Sequence, residues 1–166
     1  MYMKKEYTLQ VMGILRLAMG WIFLWAFLDK TFGWGFATTP GHAWLAGGSP
    51  TTGFLSHATT GPFATLFASM AGHPSVDWLF MIGLLCLGLA LIFGVGVRIA
   101  MYSGVLLLAL MYLALLPTEN NPFVDEHVLE ALILILIGVT PNAGSFLGLG
   151  KWWGSTELVK KYPILK

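Results

Sequence analysis

Charge is what this sequence has least of. Asp, Glu, Lys and Arg make up only 10% of the 166 residues, while 57% are hydrophobic. Soluble globular chains carry about 25% charged and about 45–50% apolar residues. A soluble helical protein of this size needs a polar face on each helix, so the deficit argues for an integral membrane protein of one domain. Cysteine is nearly missing. Cys86 stands alone inside an apolar run, which excludes a disulfide framework and a CxxC redox pair. Any redox chemistry then falls to a cofactor, a quinone or a partner chain. The formal net charge of +1 gives no basis for binding nucleic acid.

The scarcity of charge is also local. Residues 31–76 contain no Asp, Glu, Lys or Arg, whereas a solvated loop of that length would carry charge and a structureless one is unusual. Thr39-Pro40, Ser49-Pro50 and Gly61-Pro62 each place a capping residue before a proline at a first helical position. Phe63, Leu66, Phe67 and Met70 follow at i, i+3, i+4 and i+7. The pattern predicts short helices over 33–76 that form a cap on the bilayer interface. A fifth span at 54–71 fails because its apolar stretch is short and broken by His57 and Pro62.

Long apolar runs are what the sequence does have. The spacing predicts four transmembrane helices at about 9–32, 77–97, 99–116 and 122–147, each able to cross a hydrocarbon core of about 30 Å. Lys4 and Lys5 ahead of the first run resemble a signal peptide, but Arg16 interrupts the run and no small-residue cleavage site follows, so it reads as a retained helix. Gly83, Gly88, Gly94 and Gly96 would let the second helix approach its neighbours. Asn121 and Pro122 would cap and start the fourth. The fold class expected is an all-α, four-helix transmembrane bundle with a long helical extracytoplasmic cap between helices 1 and 2 and a cytoplasmic tail at 148–166. Lys4, Lys5, Arg98, Lys151, Lys160 and Lys161 then share one side and Lys30 stands alone on the other, which makes both termini cytoplasmic.

With this topology the four histidines and most acids gather at the outer helix ends. Asp125, Glu126 and Asp77 fit the first turns of helices, where carboxylates complement the macrodipole. Glu130 differs: it lies inside an apolar run, one turn from His127, and an intramembrane acid marks a functional site by default. Stepping from Arg16 at helical spacing gives Gly20, Phe23, Phe27 and Lys30, a stripe with a cation at each end, while Trp25 and Asp29 pair on another face. Arg16 is equally a structural cation that caps buried carbonyls or a ligand contact. No HxxxH, HExxH or Cys/His spacing is present, so neither metal nor haem is expected. Trp25, Phe27, Trp34, Trp44 and Trp78 near the outer mouth offer flat apolar walls. Beside a lysine, a histidine and acids they would suit a quinone ring, whose carbonyls need donors.

The segments LRLAMGWIFLWAFLDKTFG (15–33), GVGVR (94–98) and NNPFVDEHVLEALILILIG (120–138) resemble the DoxX/DoxD superfamily of small four-span membrane proteins. GGSPTTGFLSHATTGPF (47–63) resembles its DoxD branch more closely. The resemblance spans nearly the whole chain, with Arg16, Lys30, Arg98, Asp125 and His127 at matching motif positions. It implies a prokaryotic cell-membrane subunit of a thiosulfate:quinone oxidoreductase, passing two electrons from thiosulfate to quinone and yielding tetrathionate.

The expected site places Lys30, His127, Glu130 and Asp125 in catalytic roles, with Trp25, Phe27, Trp78 and Arg16 holding a quinone as electron acceptor. The expected partners are lipid, quinone and a small anionic sulfur compound, with a second membrane subunit and a homo-oligomer left open. The alternative is a non-catalytic membrane adaptor or assembly factor that binds a partner helix or lipid, with Glu130 and Arg16 as buried polar glue. A carrier using Glu130 as a proton relay is the third reading, weakened because no inverted repeat is visible.

Overall fold

A computed structural model describes residues 5–118, 121 and 123–165. Lys4, Glu119, Pro122 and Lys166 lie outside the described residues. Among the residues described the chain is all helical. The first helix, α1 (Lys5–Phe32), has 28 residues, about 42 Å at 1.5 Å per residue. Two short 3-10 turns, at Pro40–His42 and Trp44–Ala46, lead to α2 (Thr52–His57). A third turn at Gly61–Phe63 runs into α3 (Ala64–Ala68). Then come α4 (Pro74–Phe93), α5 (Val97–Ala114) and α6 (Glu126–Val139), and the tail holds α7 (Gly150–Ser155), α8 (Glu157–Lys161) and a final turn at Pro163–Leu165.

Helices α1, α4 and α5 are long and apolar enough to cross a membrane. Each turns apolar side chains outward: Ile14 on α1, Leu79 on α4 and Leu106 on α5 are all more than half exposed. Apolar faces this extensive do not sit in water, and lipid is their natural solvent.

The long helices pack in a closed cycle, α1 on α4, α4 on α5, α5 on α6 and α6 back on α1. Glycines set the close approaches. A Cβ at Gly88 would come within 2.8 Å of Leu24, one at Gly104 within 2.5 Å of Leu134, and one at Gly138 within 2.5 Å of Met101. Gly83 and Gly96 have no such neighbour, so the expectation that they permit helix approach is corrected. Gly96 serves the turn instead, where its left-handed backbone (φ 64) precedes α5. The core runs along the cycle through Met19, Phe23, Met81, Leu91, Leu134 and Ile137.

The fourth helix is the main departure from the expected spans. It covers Glu126–Val139, 14 residues, or about 21 Å, instead of 122–147. Its N-cap is Asp125, which accepts the Val128 N–H at 3.1 Å. Asn121 caps nothing; its Oδ1 accepts the N–H groups of Phe123 and Val124, closing a local turn. At the other end Thr140 precedes Pro141 and takes an extended backbone, φ −74 and ψ 119, as a residue before proline must.

The 33–76 segment forms the expected run of short helices. Thr39 and Pro40 start a 3-10 turn as anticipated, but the threonine side chain makes no capping bond there. Pro50 sits two residues ahead of α2, whose N-cap is Thr51. Of the stripe Phe63, Leu66, Phe67 and Met70, Phe67 alone is buried, against Leu55 and Ala114. The Thr60 N–H donates to the Ala114 carbonyl at 2.9 Å, tying this layer to the end of α5. The molecule thus has a cap end, with 29–76 and the start of α6, and a tail end, with the Gly94–Gly96 turn and residues 140–165.

Candidate functional site

Residues 21, 22, 25, 26, 29 and 30 recur at helical spacing and share one face of α1. Together with Phe36 and Ala37 they line a groove of about 560 Å³ at the cap end, a volume in the range of small-molecule sites. The second wall exists because the chain turns back immediately after α1. Gly33, with φ 67, lies so close to Pro40 and Ala43 that a side chain there would collide with both. The returning strand of loop is fixed by Asp29, whose side chain is almost fully buried. Its carboxylate accepts N–H groups from Phe36 (3.3 Å), Ala37 (2.9 Å) and Thr38 (2.9 Å). Three amide donors to one carboxylate are charge-assisted bonds of the stronger kind.

Aromatic rings finish the groove. Trp25 meets Phe36 edge-on at 5.0 Å and lies 5.6 Å from Trp21 and 5.3 Å from Trp34, which in turn stacks on Phe32. Lys30 is half-buried in this setting. Among the described residues its ammonium takes part in no ion pair, and both oxygens of neighbouring Asp29 are already engaged with the loop. The groove therefore presents one cation between flat apolar walls.

The other expected site residues fall elsewhere. Phe27 packs into the core and does not line the groove. Trp78 stands edge-on to Trp44, with ring centres 4.6 Å apart, also outside the groove. Arg16 is fully buried and spends all five of its N–H donors on backbone. Nε donates to Ala143, one terminal nitrogen to Leu91 and Ile92, and the other to Phe146 and Leu147. This corrects its assignment as a cofactor contact, since no donor remains. It clamps the last carbonyls of α4 to the tail loop.

His127 is buried and its Nδ1 lies 2.7 Å from Asp125 Oδ2, an arrangement in which the ring N–H donates to the carboxylate. Asp125 stands ahead of α6. Burial by itself would push its carboxyl up, but the bonds from His127 and the Val128 N–H outweigh that and hold it below the usual carboxylate range. Glu130, one turn on, is half-exposed and does not line the Lys30 groove. His127 and Glu130 thus do not share the groove that holds Lys30. Ligand atoms of Asp125, Glu126 and His127 do lie within 4.8 Å of one another, but both Asp125 oxygens and the histidine Nδ1 are already committed to each other and to Val128.

Sequence reasoning missed the anchoring role of the two buried acids at the cap end. Asp77 accepts from Ser49 Oγ at 2.8 Å and from the Thr51 hydroxyl and N–H, as Asp29 does from the 36–38 amides. The signal available was their position, each at the end of an apolar helix beside an uncharged loop rich in donors. Phe36 and Trp21 were missed as groove walls because a wall made by a returning loop has no periodicity. Comparison with protein-family models, curated proteins and solved structures finds no match to this chain.

Proposed function

We propose that the chain is a four-helix transmembrane bundle of the DoxX/DoxD type, and that the Lys30 groove takes the headgroup of a quinone. In this reading the protein is the membrane subunit of a quinone-linked oxidoreductase acting on thiosulfate or a related small sulfur compound. The observation that carries it is the ammonium of Lys30, without an ion pair among the described residues, in an aromatic groove open along α1. Lys30 would donate to one quinone carbonyl, the contacting Trp25 and Phe36 rings would together form one wall against it, and Asp29 would hold the loop wall in register.

Three of the four helices support the membrane placement by length and composition. The 14-residue α6 crosses with its flanking segments, or the bilayer thins around it. Arg98, Lys151, Lys160 and Lys161 belong to the tail end, which by the positive-inside preference supports a cytoplasmic tail and an outer 33–76 cap. Two thiosulfates joined through a new S–S bond release two electrons, and quinone takes these with two protons to become quinol. The groove offers one cation, so the sulfur compound is assigned to a second subunit. His127 and Glu130 lie outside the Lys30 groove, and no proton route is assigned to them.

Native membranes holding the protein together with its second subunit should bleach quinone absorbance when thiosulfate is added, and Lys30→Ala should slow this at least roughly tenfold, the factor for about one charge-assisted hydrogen bond. Unchanged reduction by Lys30→Ala would remove the groove from the reaction. Binding of a partner helix with no quinone bound would favour the adaptor reading.

A further inference from the structure

At the tail end, far from Lys30 along α1, lies a second cavity of about 200 Å³. It is a partly open cleft bordered by the first residues of α5, the last residues of α6 and the 140–150 segment. Arg98 is the charged residue in its lining, which contains no Asp or Glu. Among the described residues that guanidinium, which stands exposed, donates once, from one terminal nitrogen to the Pro163 carbonyl at 3.2 Å. An arginine carries five N–H donors, so four have no partner among the described residues. Asn142 and Ser145 line the same space, adding an amide and a hydroxyl. Thr140 cannot add a proton, because its hydroxyl donates to the Leu136 carbonyl at 2.6 Å.

The floor is backbone. Gly94 and Gly144 pack so closely that a Cβ on either would come within 2.4 Å of the other's carbonyl oxygen. The Gly150 N–H closes the rim on the Gly144 carbonyl at 3.0 Å. Trp153 forms one side, its ring held by a bond from Nε1 to the Leu165 carbonyl at 2.6 Å. These contacts fix the walls whether or not anything occupies the space.

We propose that this cavity binds a phosphate group. Sign, donors and size agree. A wall with a guanidinium and no carboxylate selects an anion, and a planar fork of N–H groups suits a phosphate's oxygens. About 200 Å³ holds a tetrahedral oxyanion with a few waters at roughly 30 Å³ each, but is below the roughly 300 Å³ at which sites for larger organic ligands begin. Tryptophan and basic residues collect at the level of lipid headgroups, and Trp152, Trp153 and Lys151 stand beside this cavity in α7. The phosphate can belong to an anionic lipid headgroup or be free, and the two sources are separable by experiment. The proposal is independent of the Lys30 groove.

The test uses the full-length chain. Nanodiscs of phosphatidylcholine with a minor share of phosphatidylglycerol are disassembled, and the lipid kept by the protein is identified by native mass spectrometry. Wild type should retain phosphatidylglycerol preferentially, and Arg98→Gln should weaken that preference roughly tenfold, as expected for one charge-assisted bond. Arg98→Lys should keep part of it, while Lys151→Gln, which leaves the cavity intact, should keep it all. In lipid-free detergent, inorganic phosphate should raise the unfolding temperature of wild type and not of Arg98→Gln if the free anion binds. Preference in nanodiscs without that rise assigns the site to a lipid headgroup.

Equal retention by Arg98→Gln overturns the proposal, as does an equal loss from Lys151→Gln, which would mean diffuse surface charge. It is also overturned if wild type responds to neither probe. Should Arg98→Gln fail to fold, Ser145→Ala and Asn142→Gly replace it, the latter keeping the left-handed backbone at 142 (φ 62). Each should lower the preference by a smaller factor, and no change from either is again decisive against the site.

Discussion

Arg16 and Lys30 stand at the two ends of one stripe of α1 and meet opposite fates. Arg16 is sealed among five carbonyls, while Lys30 faces a groove with no ion pair among the described residues. Replacing Arg16 by Met would strand those carbonyls in a buried place and should cost at least about 3 kcal/mol. Arg16→Lys should recover little, because three donors on a point charge cannot serve five acceptors. Unfolding of both variants in mixed detergent checks this. For Asp29→Asn the expected readout is local: hydrogen exchange at the amides of 36–38 should speed up while the α4 and α5 amides stay protected. Asp125 gives a pH signature. Its carboxyl sits lower in the folded chain than in the unfolded one, so its contribution is complete above the unfolded value of about 3.9. It is lost as pH falls through the folded value. The stability gap between wild type and Asp125→Asn should therefore be flat near neutrality and close in acid; a gap that widens on acidification would contradict the assignment.

The elements were legible where the signal was local and covalent. Three long helices follow from hydropathy, but their ends do not: α4 begins at Pro74 and is stopped by Gly94, whereas the apolar run alone suggests 77–97. The overlong fourth helix shows the cost of reading hydropathy without punctuation. Thr140-Pro141 and the left-handed Asn142 (φ 62) stop α6 inside a run that is still mostly apolar, and Asp125, not Asn121, holds its start. What sequence could not show was any contact made to backbone. The partners of Arg16, Asp29 and much of Asp77 are carbonyls and amides, which every residue carries and no pattern marks. A paired substitution tests the element packing. Gly94→Ala adds a Cβ to a left-handed residue 2.4 Å from the Gly144 carbonyl, and should cost about 1–2 kcal/mol for the backbone alone. Gly83→Ala meets open space in mid-helix and should stabilise by about 0.5–1 kcal/mol. Thermal unfolding of the two, compared with wild type, should shift in opposite directions.

The two ends of the whole molecule do different work. The cap end is held by Asp29 and Asp77 and carries the aromatic groove, and the tail end is clamped by Arg16 and gathers the basic residues. Sidedness is open to direct labelling. In a Cys86→Ala background, Ser56→Cys on the cap should react with a membrane-impermeant maleimide on intact cells, and Ser155→Cys in the tail should react only after lysis. Reversed labelling would invert the orientation without touching the fold. The groove itself is tested most directly by photolabelling with an azido-quinone in nanodiscs, followed by peptide mapping. The account predicts that label concentrates within Trp21–Ala37, is displaced by excess quinone, and falls at least roughly tenfold in Lys30→Ala. Label that maps to other helices, or that survives Lys30→Ala undiminished, would contradict it.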